Sequence, residues 1–180
     1  MCDDGCDPTF AFEDLGNLVR RVRTDFNAEV AFYTREQLDE LLPETVRDHF
    51  GLPADFAPEL SGQHQRRTHA LLAGIFYDDP DRLKPEPDSV MLILKPTVSG
   101  DEPLDVLEYQ RAHPAFPRES TIDQYFDEAQ WESYRRLGEH IASTIFETSA
   151  TGVWTPRQFV KPPRTRSVWP RTHTAATVGV

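Results

Sequence analysis

The chain has 180 residues and a mass of 20.6 kDa, the length of one ordinary domain or of a domain with a tail. Thirty Asp and Glu against 19 Lys and Arg give a formal net charge of −11, which argues against nucleic acid as a partner of the whole chain. Apolar residues make up 38%, and the longest nearly apolar run, Ala70 to Tyr77, falls far short of the roughly 20 residues of a bilayer span, so no membrane helix is expected. The start, Met1-Cys2-Asp3-Asp4-Gly5-Cys6-Asp7-Pro8, has neither a basic n-region nor an apolar h-region, so no secretory signal is expected either. Cys2 and Cys6 alone build neither a disulfide framework nor a four-ligand zinc site, and a reducing, cytoplasmic location is the default.

In chain order, Phe12, Leu15, Leu18, Val19 and Val22 recur at helical spacing. Glu13 and Asp14 lie at the start and Arg20, Arg21 and Arg23 at the end, as the helix dipole favours. Ala28 to Tyr33 alternates like a half-buried strand. Thr34-Arg35-Glu36-Gln37 is a capping box opening a short helix through Leu38, Leu41 and Leu42. A further helix is predicted over Pro43 to Phe50, with Pro43 at its first position and Gly51 as its stop. Pro53 to Gly62 reads as loop. Thr68 to Tyr77 and Val90 to Lys95 are the most strand-like runs, joined by the Pro-rich loop Asp78 to Ser89 as a long-looped hairpin. One helix is predicted near Pro103 to Ala112. A longer one ends near Phe146, with a stripe of Trp131, Tyr134, Leu137, Ile141 and Ile145 and a Glu132–Arg136 pair on its other side.

Charge divides the chain. Residues 1–147 hold 14 Lys/Arg and all 30 Asp/Glu, a net of −16, whereas 148–180 hold five basic residues and no acid. The predicted organisation is an acidic folded body over 1–147 and a basic, Thr/Pro-rich tail over 148–180. The tail buries too little apolar surface to offset its ordering entropy and is expected to be disordered. Its Trp154, Phe159 and Trp169 leave a second reading open, a docking arm for acidic lipid or a protein partner.

Catalytic signatures are scarce. No serine has a glycine two residues before it, and there is no G-x-x-x-x-G-K, G-x-G-x-x-G or H-E-x-x-H. His64 and His69 are five apart, off the i,i+4 spacing of helical metal sites, and read as exposed loop histidines. Lys95 to Pro103 is strand–loop–helix. It reads first as a turn capped by Asp101 with Pro103 in the first helical turn, and second as an anion cradle. Asp123, Asp127, Glu128 and Glu132 read as a solvated helix face, with a cation site as the weaker reading. His113 and His140 could act as bases only if the fold sets them beside a nucleophile. No catalytic, cofactor-binding or metal-binding residue is assigned, and no cofactor is expected.

Three stretches share one resemblance. Cys2 to Pro8 with Phe10 and Phe12-Glu13-Asp14-Leu15-Gly16-Asn17-Leu18 form the first. Lys95-Pro96-Thr97, Gly100-Asp101-Glu102-Pro103 and Asp105-Val106 form the second. His113-Pro114, Phe116-Pro117, Glu119-Ser120-Thr121, Asp123-Gln124, Phe126-Asp127-Glu128, Gln130, Glu132-Ser133-Tyr134-Arg135 and Leu137-Gly138 form the third and longest. Together they resemble blocks that follow the catalytic core in long bacterial patatin-like phospholipases, spanning residues 2 to about 146 and leaving the tail outside. That family comprises lipid acyl hydrolases on an α/β sheet, with a serine on a G-x-S-x-G elbow paired with the aspartate of a D-G-G or D-G-A motif. The resemblance implies that this chain is the C-terminal portion of such a protein, beginning past the catalytic aspartate. Asp4-Gly5 fits the later block better than the dyad motif. The expected fold is an α/β or α+β fragment, a few strands with packed helices. The expected function is that of a segment of a lipid-metabolising hydrolase, inactive alone, partnered in cis or in trans by the upstream catalytic segment and through it by a lipid or membrane surface. The alternative is a stand-alone binding module that docks through its basic tail.

Overall fold

The apolar run at Ala70 becomes the central strand of the molecule. In the computed structural model, which describes residues 12–56, 68–78, 86–120, 122 and 125–146, β2 (Ala70–Tyr77) pairs antiparallel with β1 (Ala28–Phe32) on one side and β3 (Ser89–Leu94) on the other. The register runs from Ala28 opposite Tyr77 to Phe32 opposite Ala73, and from Ala70 opposite Leu94 to Ile75 opposite Ser89. Ala70 and Leu72 enter one apolar layer with Leu38, Phe50, Leu137 and Ile141. Leu71 and Ala73 enter a second layer with Leu15, Phe56 and Ile93. A strand buried on both faces needs apolar side chains at every position, which is why this stretch reads as a continuous run rather than an alternation. The fold is therefore mixed α/β: a three-stranded antiparallel sheet with helices on both faces, and with β1 and β3 as its edges.

Helix α1 (Glu13–Phe26) covers the second layer through Leu15, with Leu18 and Val19 beside it. It ends at Asn27, whose left-handed backbone (φ 48°) lets its N–H reach the Val22 carbonyl, a conformation asparagine tolerates better than most residues. Helix α2 (Arg35–Leu41) opens with the capping box read from the sequence. Gln37 N–H donates to Thr34 Oγ1, and Thr34 N–H donates to Gln37 Oε1 at 2.8 Å.

The helix predicted over Pro43 to Phe50 is shorter. α3 spans only Glu44–Arg47, with Pro43 just before it. Beyond it the chain is captured by β2: the His49 carbonyl accepts from His69 N–H (2.9 Å) and Ala70 N–H (3.1 Å), and Phe50 forms a parallel bridge to Ala70. Gly51 is thus not a helix stop. A Cβ at this position would run into Thr68 Cγ2, so glycine is what lets the two segments approach. Pro53–Phe56, predicted as loop, forms a 3-10 turn that sets Phe56 into the second layer.

Helices α4 (Leu104–Ala112) and α5 (Glu128–Phe146) pack on the first layer. Phe116 locks their corner, its ring edge-on to Tyr109 (5.2 Å) and to Tyr134 (4.8 Å), while Gln130 Nε2 donates to Glu119 Oε2 at 2.9 Å. The α5 stripe differs from expectation at its start. Leu137, Ile141 and Ile145 are buried, but Trp131 is 65% exposed. At 3.6 residues per turn Trp131 lies about 80° around the helix from Ile141, on the rim of the apolar face. The expected Glu132–Arg136 pair is also redistributed. Glu132 bonds Arg135 at 2.7 Å, whereas Arg136 reaches Glu139 at 2.9 Å and Asp105 at 3.7 Å. Among the described residues no helix is long and apolar enough to cross a membrane. Cys2, Asp4, Cys6, His64, Asp123 and the 148–180 tail lie outside the described residues.

Candidate functional site

The strand ends beside α4 and α5 gather the one cluster of convergent metal- or proton-binding groups found among the described residues: His69, Asp101, Glu102 and His140. His69 immediately precedes β2, and its backbone is fixed on both sides. Its N–H donates to the His49 carbonyl and its own carbonyl accepts from Lys95 N–H, each at 2.9 Å. The side chain is fully buried, at 0% exposure. Its Nδ1 lies 2.8 Å from Thr97 Oγ1, which in turn donates to the Thr68 carbonyl at 2.8 Å. A carbonyl can only accept, so the threonine proton points at Thr68 and Nδ1 must carry the hydrogen that bonds Thr97. That fixes the tautomer. Nε2 is left with its lone pair, buried and without a hydrogen-bond partner.

Burial is the main reason the His69 pKa falls to about 4, and His49 and His140 push it the same way, against the opposing pull of Glu102 and Asp101. The ring is therefore neutral at physiological pH. His49 stacks on it at 5.9 Å and His140, from α5, meets it edge-on at 6.3 Å.

The β3–α4 loop supplies the acids. Glu102, 5% exposed, folds back on its own loop. Its Oε1 accepts from Ser99 N–H (2.6 Å) and lies 3.1 Å from Ser99 Oγ, and its Oε2 accepts from Gly100 N–H (2.7 Å). Gly100 sits at φ 99°, where a side chain would be strained, and this presents the amide to the carboxylate. The amides that the sequence offers as an anion cradle are thus taken by a carboxylate of the same loop. Asp101 is not the cap of α4. Pro103 holds that position without a side-chain cap bond, and Asp101 accepts instead from Ser99 Oγ at 2.7 Å. Its Oδ1 also lies 3.4 Å from His140 Nε2, a nitrogen with no hydrogen-bond partner.

One donor atom from each of the four residues lies within 4.8 Å of all the others. His69 and Glu102 form the closed side. Asp101 and His140, with side chains 24% and 19% exposed, form the less buried side. The arrangement can hold a cation or take up a proton. It is not a serine-nucleophile site, because Ser99 Oγ donates to Asp101 and no described serine is bonded to an imidazole.

Sequence reasoning placed His69 in an exposed loop and kept His140 only as a base awaiting a partner. The fold brings both into one cluster. The available signal is that His69 lies within the run Thr68 to Tyr77 that reads as a strand, which is at odds with an exposed loop. His113 is not brought there. It stacks on Tyr109 at 4.0 Å and its Nδ1 donates to the Tyr109 carbonyl at 3.1 Å, closing the end of α4. Asp127 and Glu128 stand exposed at the start of α5, where Asp127 Oδ1 accepts from Gln130 N–H at 2.7 Å, an N-terminal cap rather than a ligand set. Comparison with protein-family models, with curated proteins and with solved structures finds no match for this chain.

Proposed function

We propose that the chain is the C-terminal, non-catalytic segment of a bacterial patatin-like acyl hydrolase of lipid metabolism, with nucleophile and dyad aspartate supplied by an upstream segment in cis or in trans. The observation that carries this reading is how the residues of the resemblance are used. Lys95 of the second block is buried with its ammonium 5.5 Å from the ring centroid of Phe12 in the first. Phe116, Tyr134, Glu119 and Gln130 of the third block bond and stack with one another at the α4–α5 corner. Side chains spent on packing are those of a scaffold, and a scaffold needs no elbow serine of its own.

Its surface fits the same role. Among the described residues β1 and β3 each pair with a strand on one side only, and Ile122, Tyr125, Phe126 and Trp131 expose apolar surface around the start of α5, the kind of patch that packs against a neighbouring segment. The test is hydrolysis of p-nitrophenyl esters and phospholipid by the 180-residue chain alone, then with a patatin-like catalytic segment added. The expected result is background turnover alone and a rise on mixing. Turnover by the chain alone, abolished by Asp4→Ala, would overturn the reading and make Asp4 catalytic. No effect on mixing would remove the complementing role.

A further inference from the structure

We propose that His69, Asp101, Glu102 and His140 form a binding site for one divalent transition-metal ion of the zinc class. This stands independently of the family reading, because it rests only on the side chains that meet at the end of the sheet.

The strongest observation is the buried nitrogen. His69 Nε2 is sealed from solvent with its lone pair unbonded, in a tautomer imposed by the Thr97–Thr68 relay. Metal-ligating histidines are characteristically held in this way, the distal ring N–H tied to an oxygen so that the other nitrogen stays bare and correctly aimed. A buried imidazole kept neutral is also the form that binds a metal. The carboxylate Glu102 is oriented by two backbone N–H groups, Ser99 on one oxygen and Gly100 on the other, which leaves a lone pair on each oxygen for a further partner.

Spacing agrees. With metal–nitrogen and metal–oxygen distances of about 2.0–2.1 Å, two ligands of a tetrahedral site stand about 3.3 Å apart. His140 Nε2 and Asp101 Oδ1 are 3.4 Å apart and are not hydrogen-bonded to each other. All four donors lie within 4.8 Å, so modest side-chain movement closes the set around one ion. Two carboxylates with two imidazoles make a locally anionic pocket, and the imidazoles favour Zn2+ or Co2+ over Mg2+ or Ca2+, which prefer oxygen alone. Asp101, with its side chain 24% exposed, lies on the side nearest solvent.

The experiment uses the full chain, both native and with Cys2→Ser and Cys6→Ser to remove thiol donors, stripped with chelator and titrated calorimetrically with Zn2+. Co2+ serves as the spectroscopic probe, and Mg2+ and Ca2+ as controls. The expected result is one Zn2+ per chain in both forms, visible Co2+ ligand-field bands of a four-coordinate N/O site, and no comparable binding of Mg2+ or Ca2+. Asp101→Asn and His140→Ala, chosen because both side chains are partly exposed and the fold should survive, are expected to weaken Zn2+ at least about tenfold. Their metal-free circular dichroism and urea midpoints should match the parent. Zn2+ should also raise the melting temperature of the parent more than that of these variants. Absence of saturable binding in the parent overturns the proposal. So does binding that vanishes with the cysteines, or binding equally tight in both variants, which would place the ion on other residues.

Discussion

Replacing Phe116 with alanine tests whether the longest matched stretch is a packed corner. The ring is 1% exposed and stands edge-on to Tyr109 and Tyr134. Truncating a buried phenylalanine costs about 3–5 kcal/mol, through lost transfer energy and the cavity left behind. Two edge-to-face contacts, each contributing about 0.5–1.5 kcal/mol beyond area burial, place Phe116 in the upper half of that range. A domain of this size has about 5–15 kcal/mol of stability in total, so Phe116→Ala should fold marginally. At about 2–4 °C per kcal/mol, its melting temperature should fall by roughly 10–15 °C. Trp131→Ala is the internal control, since the indole is larger but 65% exposed, and its loss should cost under about 1 kcal/mol. Urea denaturation followed by far-ultraviolet circular dichroism gives both numbers from midpoint and slope. If Phe116→Ala costs no more than Trp131→Ala, the α4–α5 corner is not packed as described, and the scaffold role of the third block fails with it.

Two glycines should respond with opposite sign. Gly51→Ala drives a methyl into Thr68 and against Asp55 and should destabilise by about 1–3 kcal/mol, whereas Gly16→Ala, in open space within α1, should stabilise by about 0.5–1 kcal/mol; thermal melts of the two variants check both. Burial raises the Tyr33 phenol from 10.0 to about 12, so between those values the unfolded chain releases a proton that the native chain keeps. Stability should therefore fall as pH rises through that window, by up to about 3 kcal/mol, and Tyr33→Phe should lose this component when its urea midpoints are compared with the parent's from pH 9 to 12. Asp55 accepts from Arg35 Nη2 at 2.6 Å and from Leu52 N–H at 2.8 Å, so Asp55→Ala should cost about 1–3 kcal/mol in chemical denaturation; a value near zero would mean that solvent already satisfies these groups.

Elements set by local sequence are legible in the chain, and those set by distant contacts are not. The Thr34–Gln37 capping box and the long α5 helix follow from residues within a few positions of one another, and the hairpin of Ala70–Tyr77 with Ser89–Leu94 joins two strands whose patterns are each local. The α3 helix was overextended because its end is decided by a bridge from Phe50 to Ala70, which no local pattern encodes. Trp131 shares the apolar character of the core stripe but not its angular position, and is exposed. The His69 cluster draws on the entrance to β2, the β3–α4 loop and the middle of α5. Such convergence is a property of the tertiary fold, and the only local hint was a histidine flush against an apolar strand. Asp101 shows the converse error. Its position before a helix made it look like a cap, yet its side chain is engaged by Ser99 and faces His140.

The scaffold reading is tested most directly by the nucleotide sequence immediately upstream of the Met1 codon. The account predicts an in-frame or adjacent reading frame that encodes a serine elbow of the form G-x-S-x-G, followed by a D-G-G or D-G-A aspartate. Unrelated sequence there on both strands would contradict it.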